Sequence, residues 1–263
     1  MRPATAPTSS PLADDEVRDA EPFVREDLGS RSLYFTLEDV QSRMRLREPD
    51  VLDLRYTRTM MAFLLLLPQP RSILMVGLGG GSLAKFCRRH LGGVRIDVVE
   101  VNPRVIALRE AFQVPRDDER FRVVEAEASA FMATAQRRYD VVLLDAFGPR
   151  GLPRQLSTQR FYDDCFDTLE PGGVLVVNLH SAAPDCALCL ARLDRAFGGD
   201  ALAVPDPEGV NTIVFARKGA PLAAGTLVPA RPKGLDTAAW TQVNGAFGRI
   251  AAAHAARAAG SPP

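Results

Sequence analysis

A doubly wound α/β sheet is what this sequence predicts, and three observations carry the prediction. Short β-branched or Leu-rich runs recur at residues 73–76, 95–99, 121–124, 141–144 and 174–179. They are nearly continuous apolar runs, the mark of strands covered on both faces. Helical segments separate them. The first run leads into Gly77, Gly79, Gly80 and Gly81, and Glu100 closes the second.

The elements follow in order. Residues 1–20 begin with a Pro-, Ser-, Thr- and Ala-rich stretch and read as a disordered lead. Residues 21–68 form a small appendage: two short strands, 32–36 and 39–46, make a β-hairpin, and residues 53–67 make a helix leading into the sheet. Residues 69–218 are the Rossmann-like domain. A helix opens at 83–90, and Asn102 caps a second at 104–112, with Pro103 at its first position. A third, 157–169, is stopped by Pro171, Gly172 and Gly173, and residues 210–217 return antiparallel at the sheet edge. Residues 219–263 are an Ala-, Gly- and Pro-rich tail, whose helix at 237–259 has little to bury.

With 263 residues, 46% of them hydrophobic, the chain fits one large domain or one domain with a small appendage. Its 32 basic residues balance 32 acidic ones, so no global field draws it to nucleic acid or to a membrane surface. The longest apolar run, 60–67, is far short of the ~20 residues that span a bilayer, and the start of the chain lacks a secretory apolar stretch. A cytoplasmic location is expected. Cys186 and Cys189 form a C-x-x-C on the apolar side of a helical segment. Zinc would need two more ligands, and Cys87, Cys165 and three histidines show no paired spacing. Buried thiols and no metal are expected.

Gly77 and Gly79 let a backbone turn sharply and approach a ligand without a Cβ in the way. Glu100 follows Gly77 by 23 residues, near the offset of about 20 at which a carboxylate reaches ribose hydroxyls in doubly wound folds. The combination reads as a nucleotide-type site, with a merely tight strand-helix turn as the alternative. Asp145 ends an apolar strand, the usual ligand position in an open α/β sheet, and is the candidate general base; the alternative is a cap for the following turn. Gln41, Tyr56 and Tyr162 are candidates for an acceptor pocket, with packing as the alternative.

The order of a hairpin with Gln41, a helix with Tyr56, the loop from Gly77 to Ser82, Glu100, Glu127, and Asp145 before a Pro/Gly loop resembles the spermidine synthase (polyamine aminopropyltransferase) family, from about residue 33 to 217. The resemblance implies a class I methyltransferase-like fold, a homodimer, and decarboxylated S-adenosylmethionine as aminopropyl donor. It implies that Glu100 holds the ribose, that Glu127 with Ala128 sits by the adenine, and that Asp145 deprotonates the attacking amine. Three positions depart from the family pattern. Gly80 stands where the family has an aspartate that grips the donor's amino group, Gly148 where it has a second aspartate for the diamine, and Tyr56-Thr57-Arg58 where it has Tyr-His-Glu.

A dicationic diamine leaving water needs paired carboxylates. Arg58, Arg150 and Arg154 fall where the resemblance puts the acceptor, so they would repel putrescine and attract a carboxylate or phosphate, the alternative being that Arg150 and Arg154 are solvated loop residues. Loss of the loop aspartate also leaves ordinary S-adenosylmethionine open as the donor. Three classes therefore stand: an aminopropyltransferase acting on a small-molecule amine, a methyltransferase or other S-adenosylmethionine-dependent transferase on a non-polyamine acceptor, and a nucleoside-binding protein without turnover. A nicotinamide dehydrogenase fits less well, since Ser82 replaces the third glycine of its loop.

Overall fold

A computed structural model describes residues 14–259 apart from 38, 149, 150, 220 and 223–225. Its chain begins with helix α1 (Asp14–Asp19), followed by an antiparallel three-stranded sheet of β1 (Phe23–Asp27), β2 (Ser30–Tyr34) and β3 (Val40–Arg45). Two helices, α2 (Arg55–Met60) and α3 (Phe63–Leu66), lead into the main domain. There β4 (Ser72–Val76), α4 (Ser82–His90), β5 (Arg95–Glu100), α5 (Pro103–Ala107), β6 (Phe121–Glu125), α6 (Ala128–Ala133) and β7 (Tyr139–Leu144) alternate. A 3-10 turn at Arg154–Ser157, α7 (Gln159–Thr168), β8 (Leu169–His180), α8 (Cys186–Ala196), β9 (Leu202–Pro205), β10 (Asn211–Arg217) and α9 (Thr237–Ala258) complete the described chain.

The main sheet has seven strands in the order β6-β5-β4-β7-β8-β10-β9. The five from β6 to β8 are parallel, and β10 is antiparallel to both its neighbours. Period-two alternation divides the strands between two cores. Ile73, Met75, Val141, Leu143, Val174 and Val176 face one, with α4 and α9; Leu74, Val142, Leu144, Leu175 and Val177 face the other, with α6, α7 and α8. Strand order reverses between β4 and β7, and in open α/β sheets that switch point is where ligands bind, beyond the carboxyl ends of the strands.

The doubly wound reading of the sequence holds, with five local corrections. The N-terminal sheet has three strands, because β1 joins through a tight turn in which Leu28 and Gly29 both take positive φ. The leading helix is broken after Met60: the Ala62, Leu64 and Leu65 amides bond to carbonyls three residues back, tightening the turn and re-aiming the chain. Pro171, Gly172 and Gly173 do not separate helix from strand. They lie inside β8, where Gly172 and Gly173 exchange hydrogen bonds with Lys218. The return strand β10 is not the edge; β9, four residues long, lies outside it. Finally, α9 buries Ala239, Val243, Ala246, Phe247 and Ile250 in the first core, a helical stripe within an Ala-rich sequence.

The N-terminal lead is also corrected over residues 14–20. Helix α1 is held by Asn102, whose Nδ2 donates to the Val17 carbonyl at 3.1 Å and the Ala20 carbonyl at 2.8 Å. Val17 is thereby buried at the main domain's carboxyl edge. Residues 1–13 lie outside the described chain. The C-x-x-C thiols lie on α8, with Cys189 buried and Cys186 half-buried. Among the described residues no helix is long and apolar enough to cross a membrane, and no group of metal-ligating side chains comes together.

Candidate functional site

Gly77 brings the two halves of the switch point together. Its φ is +93°, its amide donates to the Val99 carbonyl at 2.8 Å, and a Cβ there would lie 2.2 Å from the Asp145 carbonyl oxygen. Only glycine permits that approach. The next residues curl back through Gly79 and Gly81, both at positive φ, before α4 begins at Ser82. The Leu78 amide then donates to Glu100 Oε2 and the Asn102 amide to Glu100 Oε1, each at 2.9 Å. Each carboxylate oxygen keeps a lone pair for a further donor. Burial pushes the Glu100 carboxyl above its ordinary range, and these backbone N–H groups pull it back.

Above this loop opens a cleft. Gly77, Gly79, Glu100, Glu127 and Ala128 line one side, Gln41, Tyr56 and Asp145 the other, and Val17 of α1 covers part of it. The charged side chains among the described lining residues are the three carboxylates Glu100, Glu127 and Asp145, with no lysine, arginine or histidine among those described. A second, open cavity adjoins it and shares Gln41, Tyr56 and Phe147, with Asp39 and His180 along its wall.

Asp145 lines the first cleft and is hydrogen-bonded to Tyr56, which lines both, and to Asn178, which lines the second. The Asp145 amide closes the β4–β7 pairing with a 2.9 Å bond to the Val76 carbonyl. The Tyr56 hydroxyl donates to Oδ2 at 3.0 Å and Asn178 Nδ2 donates to Oδ1 at 2.9 Å. Burial raises the Asp145 carboxyl above the usual carboxylate range, and the Asn178 and Tyr56 hydrogen bonds lower it. Tyr56 is pushed well above an ordinary phenol by burial and by the Asp145 charge, so it remains a donor. Asn178, on β8, was not found by sequence reasoning. An asparagine at a strand end carries no motif, and its importance is visible only through the β7–β8 register.

Other candidates lie elsewhere. Arg58 lines neither cavity: its Nε donates to the Leu52 carbonyl at 2.7 Å. Arg154 is exposed in the 3-10 turn and Arg150 is outside the described residues. Tyr162 is completely buried in the second core near Cys165 and Cys189, away from both cavities. Gly80 and Gly81 shape the loop without lining the cleft. A Cβ at Gly80 would lie 2.7 Å from both the Phe112 ring and Ser42 Oγ, so those side chains fill the direction an aspartate would take. Phe112 is fixed there by buried Lys85, whose Nζ donates to its carbonyl at 2.7 Å. Glu127 lines the cleft but spends its carboxylate as the N-cap of α6, accepting from the Ser129 amide at 2.9 Å and the Ala130 amide at 2.8 Å. Gln155, also missed, lines the cleft with its Oε1 unpartnered.

Comparison with known proteins places the chain in a family. The chain is 35% identical to a polyamine aminopropyltransferase of Chromobacterium violaceum over 75% of its length and 76% of the relative's. It is 33% identical to a polyamine aminopropyltransferase of Neisseria meningitidis, again over 75% and 76%. Its fold is similar to that of a probable spermidine synthase from Corynebacterium glutamicum, with a TM-score of 0.65, 22% identity, and 74% and 76% of the two chains covered. The family model for the spermine/spermidine synthase domain matches residues 53–184, spanning the Asp145 and Glu100 sites, and the chain belongs to that family.

Proposed function

We propose that the protein transfers an aminopropyl group from decarboxylated S-adenosylmethionine to a small-molecule primary amine. The observation that carries this reading is the charge of the cleft: its described lining offers carboxylates and no cationic side chain. A sulfonium donor with a free ammonium tail matches that wall, and an anionic acceptor or a donor keeping its carboxylate would face repulsion without a partner. Of the arginines that argued for an anionic acceptor, Arg58 and Arg154 line neither cavity, and Arg150 lies outside the described residues.

In this reading Glu100 accepts from the ribose hydroxyls with the lone pairs its backbone partners leave free. The turn at Gly77 and Gly79 lets the nucleoside approach the backbone. Asp145, oriented by Tyr56 and Asn178, receives the proton of the attacking amine. The nitrogen lone pair forms the new C–N bond as the C–S bond breaks and its electron pair stays on sulfur, giving methylthioadenosine. Alignment of nucleophile and leaving group within ~3 to 3.5 Å supplies most of the rate. Gly148 gives the far ammonium of a diamine no carboxylate on this loop, and Val17 packs 3.0 Å from the position of a Cβ there. Putrescine is therefore expected to be a weak acceptor.

The test incubates the protein with each donor form and a panel from butylamine and 1,3-diaminopropane through putrescine to spermidine, with products identified by mass spectrometry. Aminopropylated amine with equimolar methylthioadenosine is expected. Methyl transfer from S-adenosylmethionine, with none from the decarboxylated donor, would replace this reading by that of a methyltransferase.

A further inference from the structure

We infer that Asn178 is a substrate-contacting residue, whose amide oxygen accepts a hydrogen bond from the acceptor's attacking amine; the inference rests on the aminopropyl-transfer reading. Asn178 is 2% exposed, lies on β8 beside the end of β7, and lines the second cavity. Ionised Asp145 can only accept, so the amide must turn its NH2 toward Oδ1, and it does so at 2.9 Å. That fixes the orientation of the group. Oδ1 is left on the other side, buried and without a hydrogen-bond partner.

A buried acceptor left unpaired is costly, and native structures keep few of them. Asp145 has both carboxylate oxygens engaged, by Tyr56 and by Asn178 itself. An incoming ammonium carries three N–H donors. One directed at Asp145 is the proton to be lost, and a second directed at Asn178 Oδ1 would hold the nitrogen while its lone pair turns toward the donor carbon. The same amide would thus orient the base through its NH2 and the nucleophile through its oxygen. A neutral amide does this without competing for the proton, which a second carboxylate would do.

The experiment uses Asn178→Leu, close in volume and apolar, and Asn178→Asp, which keeps an acceptor oxygen and adds charge. Calorimetry gives methylthioadenosine affinity, and titration of the fastest amine of the panel into the protein saturated with methylthioadenosine gives acceptor affinity. Asn178→Leu is expected to weaken amine binding at least tenfold and leave methylthioadenosine binding unchanged. Asn178→Asp, the safer variant for folding, is expected to bind the amine at least threefold tighter while turnover falls. Unchanged amine affinity in either folded variant, with only kcat reduced, would make Asn178 a positioning residue for Asp145 and overturn the inference. A wild type that binds methylthioadenosine yet transfers nothing to any amine would instead defeat the functional reading itself, and this inference with it.

Discussion

On the side of the cleft proposed to hold the donor, opposite the proposed acceptor side, the turn and its acid lie between Gly77 and Glu100, joined by one turn, one helix and the next strand, and main-chain atoms do the positioning. Glu100 is held by two backbone amides, and Gly77 by its closeness to the Asp145 carbonyl. On the acceptor side the group is assembled from side chains far apart in sequence: Tyr56 lies 89 residues from Asp145, and Asn178 lies 33 beyond it. Backbone geometry tolerates change in most side chains. A constellation of side chains on α2, β7 and β8 does not, so the acceptor side is where a divergent member can change its substrate without losing its nucleoside site.

The largest expected effect separates the two sides. Asp145→Asn keeps size but cannot accept a proton, and it puts an NH2 where one of the two accepting oxygens stood, so turnover should fall by ~10² or more, with methylthioadenosine affinity unchanged. Stability should not suffer. Burial raises the Asp145 carboxyl on folding, so above the ordinary carboxylate range the folded state holds more proton than the unfolded one, and stability drops as pH rises through the raised value. Removing the charge should leave the melting temperature at pH 7 equal or higher. A large loss of nucleoside affinity would break the separation.

The converse variant is Glu100→Gln. It replaces a charge-assisted acceptor by an amide at a site where two backbone amides also converge, and each such bond is worth about 1.5 to 3 kcal/mol. Methylthioadenosine should bind ten- to a hundredfold more weakly, while kcat at saturating donor changes less than tenfold. Equal affinity in variant and wild type would show that the ribose lies elsewhere.

The sequence was legible where chemistry is local. Strand runs, the glycine turn and the acid at the next strand's end are neighbours in the chain, and Asp145 could be read from its place after four apolar residues. The acceptor side was legible only in part. Tyr56 and Arg58 were both placed there, but two residues on a helix are separated by about 200° of rotation, so α2 turns Tyr56 to the cleft and Arg58 to the Leu52 carbonyl. Tyr162 followed the helical pattern into the second core. Asn178 needed the β7–β8 register, and the covering role of Val17 needed the long-range bonds from Asn102.

Gly80 tests how far the backbone-built side resists restoration of the family pattern. Gly80→Asp would drive a Cβ against the Phe112 ring and Ser42 Oγ, and overpacking of this kind costs about 1 to 3 kcal/mol. Thermal melts should show the loss, and Phe112→Ala in the same chain should give back part of it as a coupling above ~0.5 kcal/mol. Strict additivity of the two changes would mean that Phe112 does not occupy the space in solution.

The smallest effect sharpens the acceptor side. Tyr56→Phe removes one of the two hydrogen bonds that favour ionised Asp145 and oppose its burial. A neutral donor of this kind contributes about 0.5 to 1.5 kcal/mol. The sign follows from the role of the carboxylate: Asp145 works when ionised, its pKa should rise in the variant, and activity should be lost at a higher pH as the solution is acidified. At neutral pH kcat should fall by less than tenfold, and methylthioadenosine affinity should stay as in wild type. The measurement is the acid limb of kcat against pH for the two proteins. A limb that stays in place, or moves to lower pH, would show that Tyr56 does not tune Asp145, leaving its hydroxyl as a contact for the acceptor alone.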